Sequence, residues 1–173
     1  MFELSRIPVL DTERLRLRAF AERDLPALTA MNADAETVRY LGTGEPLDEI
    51  GSWRQLTMIL GHWALKGYGF FAVEERATER FVGRVGLFYP ATWPELELGW
   101  TIARPHWGKG YATEAALAAR DWGFARLGLK RIASFIRPEN ERSIRVAEKI
   151  GEKPDGSVTL FGKDALRYAL ERP

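Results

Sequence analysis

The chain has 173 residues, 46% of them apolar and 28% charged, with a formal net charge of +1. That suits one soluble domain with a substantial core, and the near-neutral balance gives no electrostatic case for a nucleic-acid or membrane partner. Without cysteine there is no disulfide framework, thiolate zinc site or cysteine nucleophile, and two histidines, His62 and His106, are too few for a metal cluster unless carboxylates supply most of the ligands.

The opening run Met-Phe-Glu-Leu-Ser-Arg-Ile-Pro lacks a basic segment followed by an apolar stretch, so no signal peptide is expected. No apolar run approaches the roughly 20 residues that span a bilayer, and the expected location is the cytoplasm. Residues 12–18 alternate Leu15 and Leu17 with Arg14, Arg16 and Arg18, the pattern of a half-buried strand. Asp24 is placed to cap a helix carrying Leu25, Leu28 and Met31, with Pro26 in its first turn. Residues 40–51 are glycine-rich and polar and read as a loop. Ser52 is placed to cap a second helix, with Trp53, Leu56, Ile59 and Trp63 on one apolar stripe and Gly67 and Gly69 as its stop. Residues 70–75 and 81–89 then form two strands around the polar turn Arg76-Ala77-Thr78-Glu79.

In residues 96–103, Leu96, Leu98, Trp100 and Ile102 alternate with Glu97, Gly99 and Thr101, which predicts a strand with one apolar face. Next comes Trp107-Gly108-Lys109-Gly110-Tyr111-Ala112-Thr113-Glu114-Ala115, a glycine-bracketed basic turn opening a helix. Its inner face carries the small residues Ala112, Ala115, Ala116, Ala119 and Gly123. Residues 131–137 read as a strand. Asn140 is placed to cap a helix that turns Ile144, Ala147 and Ile150 inward and stops at Gly151, and residues 158–161 and 166–170 close as a hairpin. With no linker or repeat, the order predicts a single α/β domain over residues 1–173, with its core at about 8–171 and a mixed central sheet flanked by helices.

The glycine turn is a ready seat for a phosphate or pyrophosphate: glycines permit positive φ, and backbone N–H groups converge beside the positive end of a helix. An ordinary glycine turn at a helix start is the plainer reading. Two familiar phosphate loops fail here. A P-loop needs Gly five residues before Gly108, where Ala103 stands, and a Ser or Thr after Lys109, where Gly110 stands. A dinucleotide fingerprint needs a third glycine at Thr113 and an acidic residue ending the next strand, which instead ends at Arg137-Pro138.

Several ordered motifs over nearly the whole chain resemble the GNAT superfamily of acetyl-CoA-dependent N-acetyltransferases, in particular the branch with the RimJ/RimL ribosomal-protein N-terminal acetyltransferases. They are Leu10-Asp11-Thr12-Glu13-Arg14-Leu15-Arg16-Leu17-Arg18, Gly67-Tyr68-Gly69-Phe70-Phe71-Ala72-Val73, Phe81-Val82-Gly83-Arg84-Val85-Gly86-Leu87, the glycine turn behind Glu97-Leu98-Gly99-Trp100, and Pro138 to Gly151. The chain departs from the pattern at three points. Trp107 stands where the turn usually begins with Gln or Arg, Ala147 where many members carry a tyrosine acid, and Glu152 where Phe usually follows Gly151.

The resemblance implies two splayed central strands with the pantetheine arm of acetyl-CoA between them, paired with the backbone of Trp100, Thr101 and Ile102. The pyrophosphate would rest on Trp107, Gly108, Lys109, Gly110, Tyr111, Ala112 and Thr113. Asn140 either hydrogen-bonds the arm, caps its helix, or does both. Direct attack of the amine in a ternary complex follows from the absence of cysteine. Strand parity puts Glu97 beside Gly99 and Thr101, as a base for the amine or as a surface glutamate. Ser143 either assists the departing sulfur or is a small helix residue. Arg142, Arg145 and Lys149 lie on a solvated face or meet the 3′-phosphate. No metal is expected.

An α-amine titrates near 8 and a lysine amine near 10.4, so about a quarter of the first and about 0.1% of the second is neutral around pH 7.5. That favours a protein or peptide N-terminus as acceptor. A small amine (polyamine, amino sugar or antibiotic) is the alternative, to which Glu45, Asp48 and Glu49 offer an acidic entry. An idle acetyl-CoA-binding domain is the third reading. The acceptor would enter between residues 40–51 and 90–94, beside Trp93. Both monomer and homodimer fit the sequence.

Overall fold

The computed structural model describes residues 6–172; most of the opening segment read for a signal peptide, and Pro173, lie outside the described residues. In chain order the elements are β1 (Leu10–Asp11), β2 (Leu15–Arg18), α1 (Leu25–Ala33), α2 (Ala35–Val38), α3 (Glu49–Lys66), β3 (Phe70–Glu75), β4 (Arg80–Phe88), β5 (Glu97–Ile102), α4 (Tyr111–Arg126), β6 (Arg131–Ile136), α5 (Glu141–Lys149), β7 (Lys153–Leu160) and β8 (Lys163–Glu171). The strands make one sheet in the order β1-β2-β3-β4-β5-β6-β8-β7. Every neighbouring pair is antiparallel except β5 and β6.

Helices cover both faces of the sheet, because Phe70, Phe71, Ala72 and Val73 of β3 are all buried although successive side chains point to opposite faces. On one face Trp63 of α3 and Trp122 of α4 meet around Phe71, with ring centroids 5.0 Å and 5.6 Å from it. Ala115, Ala116 and Ala119 of α4 are fully buried in the same core, as their small side chains predict.

Four local expectations are corrected. The second long helix begins at Glu49 and not at Ser52, because the Asp48 carboxylate accepts the Gly51 N–H and caps it. Ser52 is buried inside that helix, where its hydroxyl accepts a hydrogen bond from Asn32. Trp53 is 55% exposed and belongs to no core stripe. Asp24 precedes α1 without capping it with its side chain; the carboxylate grips both terminal nitrogens of Arg18 and accepts the Ala21 N–H. The short elements β1 and α2 also escaped the periodicity, being too brief to show one.

Candidate active site

β5 and β6 form a fork. Their only Cα register pair is Glu97 with Ala133, secured by the Ala133 N–H on the Leu96 carbonyl at 3.3 Å. One residue further, the Ser134 hydroxyl donates to the Leu98 carbonyl at 2.7 Å. Alternate residues of a strand address opposite edges, so Trp100 and Ile102 turn their backbone polar groups toward the opening. The Ile102 carbonyl is already taken by the Trp107 indole N–H at 2.6 Å. Trp100 is therefore the position at which an extended chain in the fork would pair.

Two cavities meet at this fork. The larger, about 950 Å³, runs from Trp100, Thr101 and Ile102 past Trp107, Gly108, Gly110, Tyr111, Ala112 and Thr113, with Asn140, Ser143, Arg142, Arg145 and Lys149 opposite. Gly108 and Gly110 have φ of 76° and 81°, and no side chain caps α4. Its first intrahelical bond is that of the Glu114 N–H to the Gly110 carbonyl, which leaves the N–H groups of Tyr111, Ala112 and Thr113 without intrahelical partners. A Cβ at Gly108 would meet nothing within 4 Å, so the seat is open. Open amides, a helix N-terminus and three cationic side chains fit a diphosphate bearing a further phosphate. The Lys109 ammonium lies 5.6 Å from the Tyr111 ring centroid, and Lys109 is not part of the cavity wall. The turn is braced from outside, since Arg14 donates to the Lys109 carbonyl and pairs with Glu114.

The smaller cavity, about 540 Å³, lies between residues 40–47 and Pro90, Ala91 and Trp93, where an acceptor entry was expected. It shares Tyr40, Leu41, Trp100, Thr101, Asn140 and Ser143 with the larger one. Glu97 stands on its wall. The Trp93 indole N–H holds one carboxylate oxygen, Oε2, at 2.8 Å, and Oε1 lies above Gly99, 3.8 Å from where a Cβ would be. Burial pushes this carboxyl up to about 7, against the Trp93 hydrogen bond and the nearby Arg84 charge. Asp48 and Glu49 are not on this wall; of the acidic entry only Glu45 reaches it.

Across the fork, Asn140 accepts the Ser143 N–H at 3.3 Å and so does cap α5. Ser143 faces both cavities, and its oxygen accepts the Trp100 indole N–H at 3.3 Å. Ala147 is fully buried against Ile136 and Tyr168, where no tyrosine from that helix position would be needed to close the core. Of the two histidines, His62 bonds the Tyr68 carbonyl and accepts the Tyr89 N–H, whereas His106 lines the larger cavity; no metal-binding cluster occurs among the described residues. Sequence reasoning missed Arg84 and Ser134 as wall residues. Arg84 alone left a signal, as a charge within an otherwise apolar strand.

Such a fork beside a glycine turn and a helix N-terminus defines an acyltransferase fold. Residues 14–153 match the family model described as acetyltransferase (GNAT) domain, and the chain belongs to that family of N-acetyltransferases. It is 36% identical over 167 residues to "Uncharacterized protein YkkB" of Bacillus subtilis, covering 92% of this chain and 93% of that one. Among solved structures it is similar to an acetyltransferase from Agrobacterium tumefaciens (TM-score 0.86, 35% identity, 99% of this chain and 97% of that one). It also shares its fold with RimL, a ribosomal L7/L12 alpha-N-protein acetyltransferase in complex with coenzyme A (TM-score 0.78, 18% identity, 95% of this chain and 98% of that one).

Proposed function

We propose that the protein transfers acetyl from acetyl-CoA to an α-amine, that of a protein or peptide N-terminus as in RimJ/RimL-like enzymes, within a ternary complex. The observation that carries this reading is the meeting of the two cavities at the fork, with Glu97 on one side and Ser143 on the other. Acetyl-CoA supplies an activated thioester; the complex of a structural neighbour with coenzyme A supports the larger cavity as its seat. The amides at the start of α4 hold the diphosphate, and the open edge at Trp100 pairs with the arm.

Glu97 takes the proton of the incoming ammonium. A carboxylate poised near 7 is half ionised at neutral pH and well matched to an amine near 8. The neutral nitrogen then attacks the thioester carbon; the C–N bond forms, the C–S bond breaks, and the nitrogen loses its second proton to water, or to Glu97 once the first has passed to solvent. Ser143 keeps its O–H free to donate to the departing sulfur, because its oxygen already accepts from Trp100. The thiolate recovers a proton, so amide and free thiol are the products.

Free-thiol release from acetyl-CoA tests this against N-terminal peptides, amino acids, polyamines and aminoglycosides; a chain without cysteine adds no background. Release with an α-amine is the expected result. No release with any amine, in a protein that acetyl-CoA stabilises against heat, would refute transfer while leaving the cofactor seat standing.

A further inference from the structure

Among the buried or half-buried arginines, most have their guanidinium groups accounted for. Arg18 is gripped by Asp24 and Glu74, Arg131 by Glu95, Asp155 and Glu171, and Arg137 by the carbonyls of Gly42, Leu160, Lys163 and Asp164. Arg84 differs. Among the described residues it makes no hydrogen bond and no ion pair, and its buried Nε has no partner. Its guanidinium carbon rests 4.5 Å from the Phe70 ring centroid, on the wall of the smaller cavity. Arg84 is half-buried, and its terminal nitrogens, unlike Nε, open to the cavity, so a cation without an ion-pair partner faces the space a ligand would enter.

Arg84 and Glu97 line the same cavity. In the β4–β5 ladder Arg84 stands opposite Thr101, Gly86 opposite Gly99, and Phe88 opposite Glu97. Arg84, Gly86 and Phe88 share a face, as do Glu97, Gly99 and Thr101. A pair of glycines thus lies between the cation and the carboxylate, and the Phe70 ring packs over Gly99, 3.1 Å from where a Cβ would be. Arg84 and Glu97 each act on the other's protonation, yet they form no ion pair. This leaves a cavity with a cation at one end, an acid at the other, and Phe70, Phe88 and Trp93 along it. Burial lowers the Arg84 guanidinium to about 10, so it stays charged at neutral pH.

Building on the transfer reading above, we propose that Arg84 is an anion subsite for the acceptor, and that the acceptor is an amine carrying a carboxylate close to its nitrogen. The amine goes to Glu97 and the carboxylate to Arg84, each neutralising a charge the empty cavity leaves unpaired. A free amino acid and a peptide with an acidic first residue both present that chemistry. A polyamine or aminoglycoside brings further cations to a wall whose only other carboxylate is Glu45, and Arg84 repels them.

The test compares free amino acids, the same amino acids as carboxamides, peptides beginning with Glu or Ala, spermidine and kanamycin, by thiol release from acetyl-CoA. Turnover should require the carboxylate, falling at least about tenfold in kcat/KM on amidation, the loss of one charge-assisted pair. Free amino acids against Glu-initial peptides decide which source is used. Arg84→Met should raise KM for the acceptor at least about tenfold and leave KM for acetyl-CoA unchanged, with Arg84→Lys in between. Arg84→Met should also melt no lower than the parent, because it removes a charge that has no partner. A drop in melting temperature, or spermidine, kanamycin or the carboxamides serving as well as the acids, would overturn the subsite. Binding supplies an independent reading. With coenzyme A present, an N-acetyl amino acid should stabilise the parent protein more than its carboxamide does, and Arg84→Met should erase the difference. Its absence would overturn the subsite even if no amine were turned over, whereas turnover of cationic amines alone would leave the transfer reading intact.

Discussion

Ser134 Oγ sits between the Leu98 carbonyl and the Glu152 carboxyl, within hydrogen-bond distance of both. The Ser134 hydroxyl has one proton, and the Leu98 carbonyl, 2.7 Å away, can only accept it. The same hydroxyl lies 3.0 Å from Glu152 Oε1, so its single proton is shared between the carbonyl and the carboxyl. Glu152 is 2% exposed, and its other oxygen has no partner, which an anion would tolerate poorly. Burial pushes it up to about 8 and the Glu97 charge adds to this, with the Ser134 hydrogen bond and then Arg120 pulling the other way. Directly after Gly151, this chain places an acid kept largely neutral by burial, anchoring the side-chain bridge at the mouth of the fork.

A pH dependence of stability follows. Between the ordinary value of 4.5 and about 8 the folded protein holds a proton on Glu152 that the unfolded chain has released. The folded state binds more protons there, so stability falls as pH rises through that window, on the order of 1 kcal/mol per unit of raised pKa. Glu97 acts in the same direction up to about 7. Denaturant titrations at pH 5 and pH 8 should show this loss, and Glu152→Gln, which mimics the neutral acid, should reduce it. A Glu152→Gln protein as pH-sensitive as the parent would disprove the protonated state.

In the proposed reaction Glu97 is the base, and its ionisation sets the pH profile. A base is active when ionised, and this one reaches half ionisation near 7. The kcat/KM for an acceptor, corrected for the amine's own titration, should rise about tenfold per unit below that point and level off above it. Glu97→Gln should lower kcat by about 10²-fold or more and flatten the limb. Trp93→Phe removes the hydrogen bond that favours the anion, so the limb should move to higher pH. An unshifted profile in both variants would assign the proton to another group.

Much of this site was legible in the sequence, and the illegible parts share a cause. The glycine turn, the Asn140 cap and the parity of Glu97 with Gly99 and Thr101 are local, set by spacing along one element. Glu97 needed no bulge in β5 to reach the cavity, because its register with β4 is unbroken. Arg84, Ser134 and Glu152 depend on which strands become neighbours, and β6 reaches β5 only through the fold's one parallel crossover. Ser52 was misread because Asp48, four residues earlier, offers an equally good cap; which one is used depends on Asn32, which packs against Ser52 from α1.

The Arg18 network is the electrostatic lock of the sheet's first half. Arg18 reaches Asp24 through two bonds of 2.8 Å and Glu74 through a third, and all three side chains are nearly excluded from water. Removing one member of a buried group strands the others, typically at about 3–5 kcal/mol. Asp24→Ala also frees the Ala21 N–H it accepts. Its melting temperature should fall by at least about 6 °C, given roughly 2–4 °C per kcal/mol at this size, with KM for acetyl-CoA unchanged. A fall of under 2 °C would show that β2 and α1 are held by packing alone.

Ser143 separates leaving-group assistance from packing. Its backbone N–H is fixed by Asn140 and its oxygen by Trp100, so both neighbours aim the hydroxyl without using its proton. Ser143→Ala retains the helix cap, which depends on the Asn140 side chain and the backbone. It leaves the Trp100 indole N–H without this partner, a modest loss of about 1 kcal/mol in a half-buried place. If the hydroxyl meets sulfur as charge develops there, kcat should fall by about 10²-fold with KM for acetyl-CoA little changed, the mark of an interaction made in the transition state. An acetyl donor with a better leaving thiol should then recover part of the lost rate in the variant and gain little in the parent. Equal response of the two proteins to the leaving group would confine Ser143 to its bond with Trp100.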